Sequence, residues 1–200
     1  MNFLLLLLDE MLFAFLAALI IFLLFIFLKT NYSKKNLLKR ISRKLGFEVL
    51  SSEGIILLGG SFQGREIRIE EISLSSGGGT LLTEFQMSTS SSFPGKILIS
   101  RENILTKLVN VFGFNDFISG NDEFDSEYHI KIQDSSMARK ILLPEIINEI
   151  LLIDPDKIEI DTSQILFSFQ KNLVKFSEAE VKEILSKMSV LAQQIEKLSF

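Results

Sequence analysis

The feature that most constrains this chain is an uninterrupted apolar run over residues 11–28, MLFAFLAALIIFLLFIFL. As an α-helix, at about 1.5 Å per residue, the run would be roughly 27 Å long, close to the hydrocarbon thickness of a bilayer. Asp9 and Glu10 precede it, and we expect them at the outer interface because carboxylates are costly within lipid. The sequence therefore predicts a membrane anchor over residues 1–28, with the span itself at residues 11–28.

The charges around this run predict its orientation in the membrane and whether it is cleaved. Residues 29–44 contain seven Lys or Arg and no acid, whereas the residues after them contain fourteen bases and twenty-three acids. By the positive-inside rule, this asymmetry keeps the C-terminal part in the cytoplasm and places the N-terminus outside. No basic segment precedes the run and no small-residue cleavage site follows it, so we expect an uncleaved, single-pass protein of the bacterial inner (plasma) membrane.

The segment 29–45 is predicted to be a basic amphipathic juxtamembrane helix. Leu37, Leu38, Ile41 and Leu45 lie on one helical face, and bases occupy the others. One interpretation is contact with anionic lipid headgroups. The other is a topology signal combined with packing of this helix on the domain, and the sequence leaves both open. The candidate headgroup contacts are Lys34, Lys35, Lys39, Arg40, Arg43 and Lys44.

Residues 46–200 are enough for one domain, and their periodicity predicts an α+β fold with a mainly antiparallel sheet. A capping box at Ser177–Glu180 opens a long C-terminal amphipathic helix. The pattern fits either a pleckstrin-homology-like barrel closed by that helix or an open antiparallel sheet with helices on one face. The predicted strands are 54–58, 62–72, 80–89, 96–100, 128–132, 157–161 and 164–170. The other predicted helices are 101–111, one through Ile141, and 144–152.

Asn121 to Phe169 contains an acidic Phe-Asp turn, an aromatic-x-Ile strand, an Ala-Arg-x-x-Leu-x-Pro helix and a paired hairpin. In this pattern the stretch resembles a family of bacterial membrane-anchored proteins of unknown function. The resemblance covers about a quarter of the chain and implies no activity. The matching residues are Asp122, Phe124, Asp125, Tyr128, Ile130, Ala138, Arg139, Leu142 and Pro144, and Gly64-Arg65 is a further point of likeness.

Several kinds of chemistry are disfavoured by composition and spacing. The chain has no cysteine, so it offers neither disulfides nor thiolate metal sites, and its pI of about 5.2 argues against a nucleic-acid-binding body. Gly59 to Glu66 has the glycine spacing of a phosphate loop but lacks its Lys and Ser/Thr, so we expect a hairpin turn at Gly59-Gly60. His129 is the only histidine and is expected to face solvent. We predict no cofactor and no metal site.

Four charged residues are the remaining candidates for a ligand or partner surface: Arg65, Asp122, Asp125 and Arg139. Strand parity directs Arg65 inward with Ile67 and Ile69, where it would need a carboxylate partner. Asp125 suits a turn that binds backbone N–H groups, and Arg139 could pair with Asp122 or Asp125.

The leading interpretation is a non-enzymatic interaction module at the cytoplasmic membrane face, bound to an unidentified protein partner. One alternative is an enzyme that acts on a membrane-associated substrate, with Asp122 and Asp125 as acid and base. The other is an accessory subunit of a membrane complex, whose apolar helix packs against other membrane helices.

Overall fold

A computed structural model describes residues 2–52, 55–73, 81–90, 95–101 and 114–197. Its first element, α1, is one helix over Asn2–Leu45. At about 1.5 Å per residue it is roughly 66 Å long. The predicted anchor segment and the predicted basic amphipathic segment therefore lie in one continuous helix. The stretch where they join, KTNYSKKN, contains no Gly or Pro to interrupt the helix. The helix ends at Gly46, whose φ of 70° is the left-handed conformation of a helix C-terminus.

Nine described strands form a single sheet. Their order is β1-β2-β3-β4-β9-β8-β5-β7-β6, and every neighbouring pair is antiparallel. In the described part of the chain no ladder joins β6 to β1, so the sheet is open as the second predicted arrangement has it, and the barrel is not found. The strands are β1 (Glu48–Ser52), β2 (Ile55–Phe62), β3 (Arg65–Ser73), β4 (Leu81–Ser88), β5 (Ile97–Arg101), β6 (Asn115–Phe117), β7 (Tyr128–Ile132), β8 (Lys157–Asp161) and β9 (Gln164–Phe169).

The helices that follow β6 cover one face of this sheet. Their buried residues join the inward-facing strand residues in one hydrophobic core, which confirms the predicted α+β class with its large antiparallel sheet and C-terminal helix. They are α2 (Asp122–Glu127), α3 (Ser135–Ile141), α4 (Pro144–Ile153), a 3-10 helix (Leu173–Lys175) and α5 (Glu178–Lys197). The predicted helix over 101–111 lies outside the described residues, except for Arg101, which ends β5.

The first hairpin differs from its prediction. Gly59 and Gly60 lie inside β2, and the turn is at Gln63-Gly64, where φ is 52° and 79°. The reason for Gly60 is packing, because a Cβ at this position would lie 2.3 Å from Cδ1 of Phe47. Phe47 is buried, and its ring packs against β2 at this glycine. Gly60 therefore makes room for a ring rather than for a turn.

The predicted membrane span, residues 11–28, lies within α1. Among the residues that the structure describes, none of the helices has the length and apolar character needed to cross a bilayer. The span at residues 11–28 and its orientation therefore remain predictions.

Candidate functional site

The surface of α1 changes character along its length, and between Phe15 and Leu28 it is apolar on every side. Large apolar side chains from Phe15 to Leu28 are 43–67% exposed. A helix that is apolar all round is normally buried, either in a protein or in lipid. This stretch therefore requires an apolar environment that the described domain does not provide.

Beyond residue 36, α1 becomes a two-sided helix. Leu38 and Ile41 are buried in the domain core, which supports the interpretation that this segment packs on the domain. Asn36, Lys39, Arg40 and Arg43 follow the i, i+3, i+4, i+7 spacing of a single helix face, and together they line a surface cleft of about 390 Å³. We call these four residues the basic stripe. Its three bases are exposed.

The other predicted headgroup residues do not belong to this stripe. The Lys44 Nζ lies 2.9 Å from Glu178 Oε1, so Lys44 links α1 to the first turn of α5. The side chains of Lys34 and Lys35 lie outside the described residues. Three of the six predicted contacts are therefore placed on one exposed face.

Arg65 points into the domain, as strand parity predicted, and its partner is Glu196 in the last turn of α5. Nη2 donates to Oε2 at 2.6 Å, and Nη1 donates to Oε1 as well. The side chains are only 13% and 17% exposed. The Arg65 hydrogen bonds lower the pKa of Glu196 to about 2, with a further contribution from the Ser90 N–H. Arg65 therefore joins the first hairpin to the C-terminal helix.

Asp125 organises the loop before α2. Its two carboxylate oxygens accept hydrogen bonds from Ser119 N and Gly120 N, both at 2.9 Å. Asn121 caps the same helix by accepting from Phe124 N at 3.0 Å. Asp122 is exposed in the first turn. The predicted role of Asp125 in a turn agrees with these contacts.

The four candidate surface residues do not meet in one place. Arg139 is exposed on α3, and in the described residues it forms no ion pair with Asp122 or Asp125. Five strand spacings separate β3, which carries Arg65, from β7, which follows Asp125. At about 4.8 Å per strand this distance is roughly 24 Å. His129 is exposed on β7, as expected.

A polar row that no sequence signal indicated crosses the opposite face of the sheet. Its centre is Glu84, which lies opposite Glu70 on β3 and opposite Ser168 on β9. The Ser168 hydroxyl donates to Glu84 Oε1 at 3.0 Å. Burial raises the pKa of Glu84 despite that hydrogen bond. Alternation in β4 places Glu84 and Gln86 on one face, but a sequence does not say which strands flank them.

A groove of about 760 Å³ lies beside this row. Its polar lining includes Glu66, Arg68, Gln86, Ser88 and Gln164. Arg68 pairs with Glu70 at 2.9 Å, and Gln86 hydrogen-bonds to Gln164. The described residues contain no cluster of three or more His, Asp or Glu side chains that could hold a metal ion. The groove thus offers mixed hydrogen-bond donors and acceptors, already satisfied in part by one another.

Comparisons with known proteins show a similar fold in one solved structure but assign the chain to no family. No family model matches the chain, and no curated protein does. Among solved structures, the mycobacterial trehalose monomycolate transport factor A, TtfA, is similar, with a TM-score of 0.62 and 10% sequence identity. The match covers 82% of this chain and 95% of that one. At this identity the similarity shows a shared fold alone.

Proposed function

We propose that this protein is a membrane-tethered, non-enzymatic accessory factor of a transport system, with its α+β domain on the cytoplasmic face. The single observation that carries the proposal is the continuity of α1. One helix runs from the exposed apolar stretch into the domain core, where Leu38 and Ile41 are buried. A domain attached by a continuous helix stays close to the membrane in which we propose that the apolar stretch lies.

The free energy of the apolar stretch supports a lipid environment. Twelve large apolar side chains between Phe15 and Leu28 are 43–67% exposed. Burying a large apolar side chain fully is worth about 1.5–3 kcal/mol, so transfer of this stretch would gain on the order of 10 kcal/mol. The bases that begin at Lys29 support the cytoplasmic orientation of the domain.

The arrangement of the charged residues favours a binding role over catalysis. Asp125 is engaged by two backbone N–H groups, and Arg65 is engaged by Glu196. Five strand spacings, roughly 24 Å of sheet, lie between β3, which carries Arg65, and β7, which follows Asp125. The proposal therefore gives Asp122 and Asp125 no acid or base role. The shared fold with a protein described as a transport factor suggests the accessory role in transport.

Alkaline carbonate extraction of native membranes tests the tether. We expect the full chain to stay in the pellet and a reporter fused after Phe200 to be cytoplasmic. A Leu19→Arg/Leu23→Arg variant should move to the supernatant, whereas the matched Leu19→Ala/Leu23→Ala variant should remain with the membrane. Extraction of the unmodified chain, or a periplasmic reporter, would contradict the proposal.

A further inference from the structure

We infer that the basic stripe of Asn36, Lys39, Arg40 and Arg43 docks an acidic segment of a partner protein that stands beside α1. This inference rests on the proposed membrane tether, and it names the partner's chemistry. It also assigns the three bases a different role from the headgroup contact that the sequence suggests.

The stripe faces away from the protein's own domain. With 100° between successive residues, the stripe is centred about half a turn from Leu38, Ile41 and Leu45, which pack on the core. If the helix axis is along the membrane normal, these bases therefore point parallel to the membrane plane, away from the domain. A neighbouring protein can reach this face without contacting the rest of the domain.

The distance from the apolar stretch separates the stripe from lipid headgroups. Lys39 lies eleven residues after Leu28 and Arg43 fifteen, which is roughly 16 and 22 Å along a helix. The headgroup layer extends only about 5–8 Å beyond the hydrocarbon, and the Debye length at physiological salt is about 8 Å. Lys29 is within that layer, whereas the three stripe bases are beyond it. Contact of all three with headgroups would require α1 to bend onto the membrane surface.

The charge of the stripe is not balanced within the described structure. Lys44, next to it, pairs with Glu178, whereas the described residues provide no ion pair for Lys39, Arg40 or Arg43. Arg40 and Arg43 also lie three residues apart on one helix face, where like charges repel. Carboxylates from outside the domain would relieve this repulsion.

The size and surroundings of the stripe favour an acidic protein segment. From residue 36 to residue 43 it extends roughly 10 Å, about two helical turns, which matches a short segment with several carboxylates. A long polyanion such as nucleic acid would meet repulsion from the remainder of the chain, where acids exceed bases by nine. A short acidic segment avoids that repulsion.

A binding assay with a defined probe tests the docking. The full chain is placed in nanodiscs of phosphatidylcholine, and a fluorescent, Glu-rich helical peptide is titrated against it by anisotropy. Exposed ion pairs contribute about 0.2–1 kcal/mol each, so Lys39→Gln/Arg40→Gln/Arg43→Gln should weaken binding roughly tenfold. The matched control is Lys175→Gln/Lys182→Gln/Lys197→Gln, which removes three exposed bases elsewhere and should change binding less than about twofold. Equal losses in both variants, or no loss in either, would overturn the inference.

The absence of cysteine allows a second readout that separates protein docking from headgroup contact. A spin label at Arg40→Cys should be relaxed mainly by a soluble nickel chelate, whereas one at Lys29→Cys should respond to nickel carried on a lipid headgroup. Strong relaxation of the Arg40 label by the headgroup-bound nickel would mean that lipid occupies the stripe, and would overturn the inference. If the chain does not co-purify with nanodiscs at all, the tether itself fails, before any peptide is added.

Discussion

Arg65 and Glu196, which are 131 residues apart in the chain, form a bidentate ion pair that fastens the last turn of α5 to the start of β3. The Ser90 N–H donates to the same Glu196 carboxylate at 2.6 Å, so the segment just after β4 joins the contact. Three distant segments therefore meet at one carboxylate. Its loss should loosen the C-terminal helix rather than a local turn.

Glu196→Gln should lower the free energy of unfolding by about 1–2 kcal/mol, because the amide keeps only part of the charged hydrogen bonding to Arg65. Urea denaturation measures this change. Glu183→Gln is the matched control on the same helix. The Glu183 side chain is 65% exposed, and its carboxylate makes only a long contact, 4.0 Å, with Lys187 Nζ. It should change stability by less than about 0.5 kcal/mol. A loss in the control as large as in Glu196→Gln would contradict the role given to the ion pair.

The same pair should make stability depend on pH in the acid range. The Arg65 contact lowers the pKa of Glu196 from 4.5 to about 2. A carboxyl whose pKa is lowered by folding stabilises the protein fully above its unfolded pKa, and the contribution is lost as the pH falls from about 4.5 toward about 2. Thermal midpoints measured across this window should fall more steeply in the unmodified protein than in Glu196→Gln. Parallel curves would exclude the ion pair as the cause.

Glu84 should show the opposite sign. Because burial raises its pKa above 4.5, the folded protein binds a proton more readily than the unfolded chain, and stability should fall as the pH rises past that range. Glu84→Gln keeps the hydrogen bond from Ser168 and removes the charge that lies opposite Glu70. At neutral pH the variant should be as stable as the unmodified chain or more stable by less than about 1 kcal/mol, since the site is partly solvated. A clearly less stable variant would show that the charge itself is required.

Local signals in the sequence predicted local structure well, as α5 shows. Ser177 Oγ accepts from Glu180 N at 3.1 Å, and Glu180 Oε2 accepts from Ser177 N at 2.6 Å, which is the reciprocal capping that the sequence predicted. Parity likewise predicted that Arg65 faces inward. These features depend on residues a few positions apart, so the local sequence is sufficient to predict them.

Features that depend on distant partners could not be predicted in the same way. The row through Glu84 exists because β9 lies beside β4, although Ser168 is 84 residues away. The strand order that separates Arg65 from Asp125 is also set by tertiary packing. The glycine pair at Gly59-Gly60 indicated a turn because glycine is common in turns. The structure shows instead that Gly60 accommodates Phe47, the residue just before β1.

Gly60→Ala tests that packing directly. The added Cβ would lie 2.3 Å from Cδ1 of Phe47 and 3.1 Å from its backbone Cα, so the buried Phe47 ring or the backbone beside it must shift. Overpacking of this kind should destabilise the domain by about 1–3 kcal/mol. Gly59→Ala is the matched control, because its Cβ meets only the flexible end of Leu50, and it should be tolerated within about 0.5 kcal/mol. Phe47→Leu in the Gly60→Ala background should restore part of the loss, and no restoration would contradict the packing explanation.

Asp125→Ala should separate the structural role of the acidic turn from a chemical one. It leaves the N–H groups of Ser119 and Gly120 without their carboxylate acceptor, and the expected loss is about 1–2 kcal/mol of unfolding free energy. Asp122→Ala removes an exposed side chain and should cost less than about 0.5 kcal/mol, while Asp125→Asn should recover part of the loss. Chemical denaturation of the three variants measures these differences. If Asp122→Ala destabilised as much as Asp125→Ala, the turn would depend on the acidic cluster as a whole rather than on the two backbone contacts of Asp125.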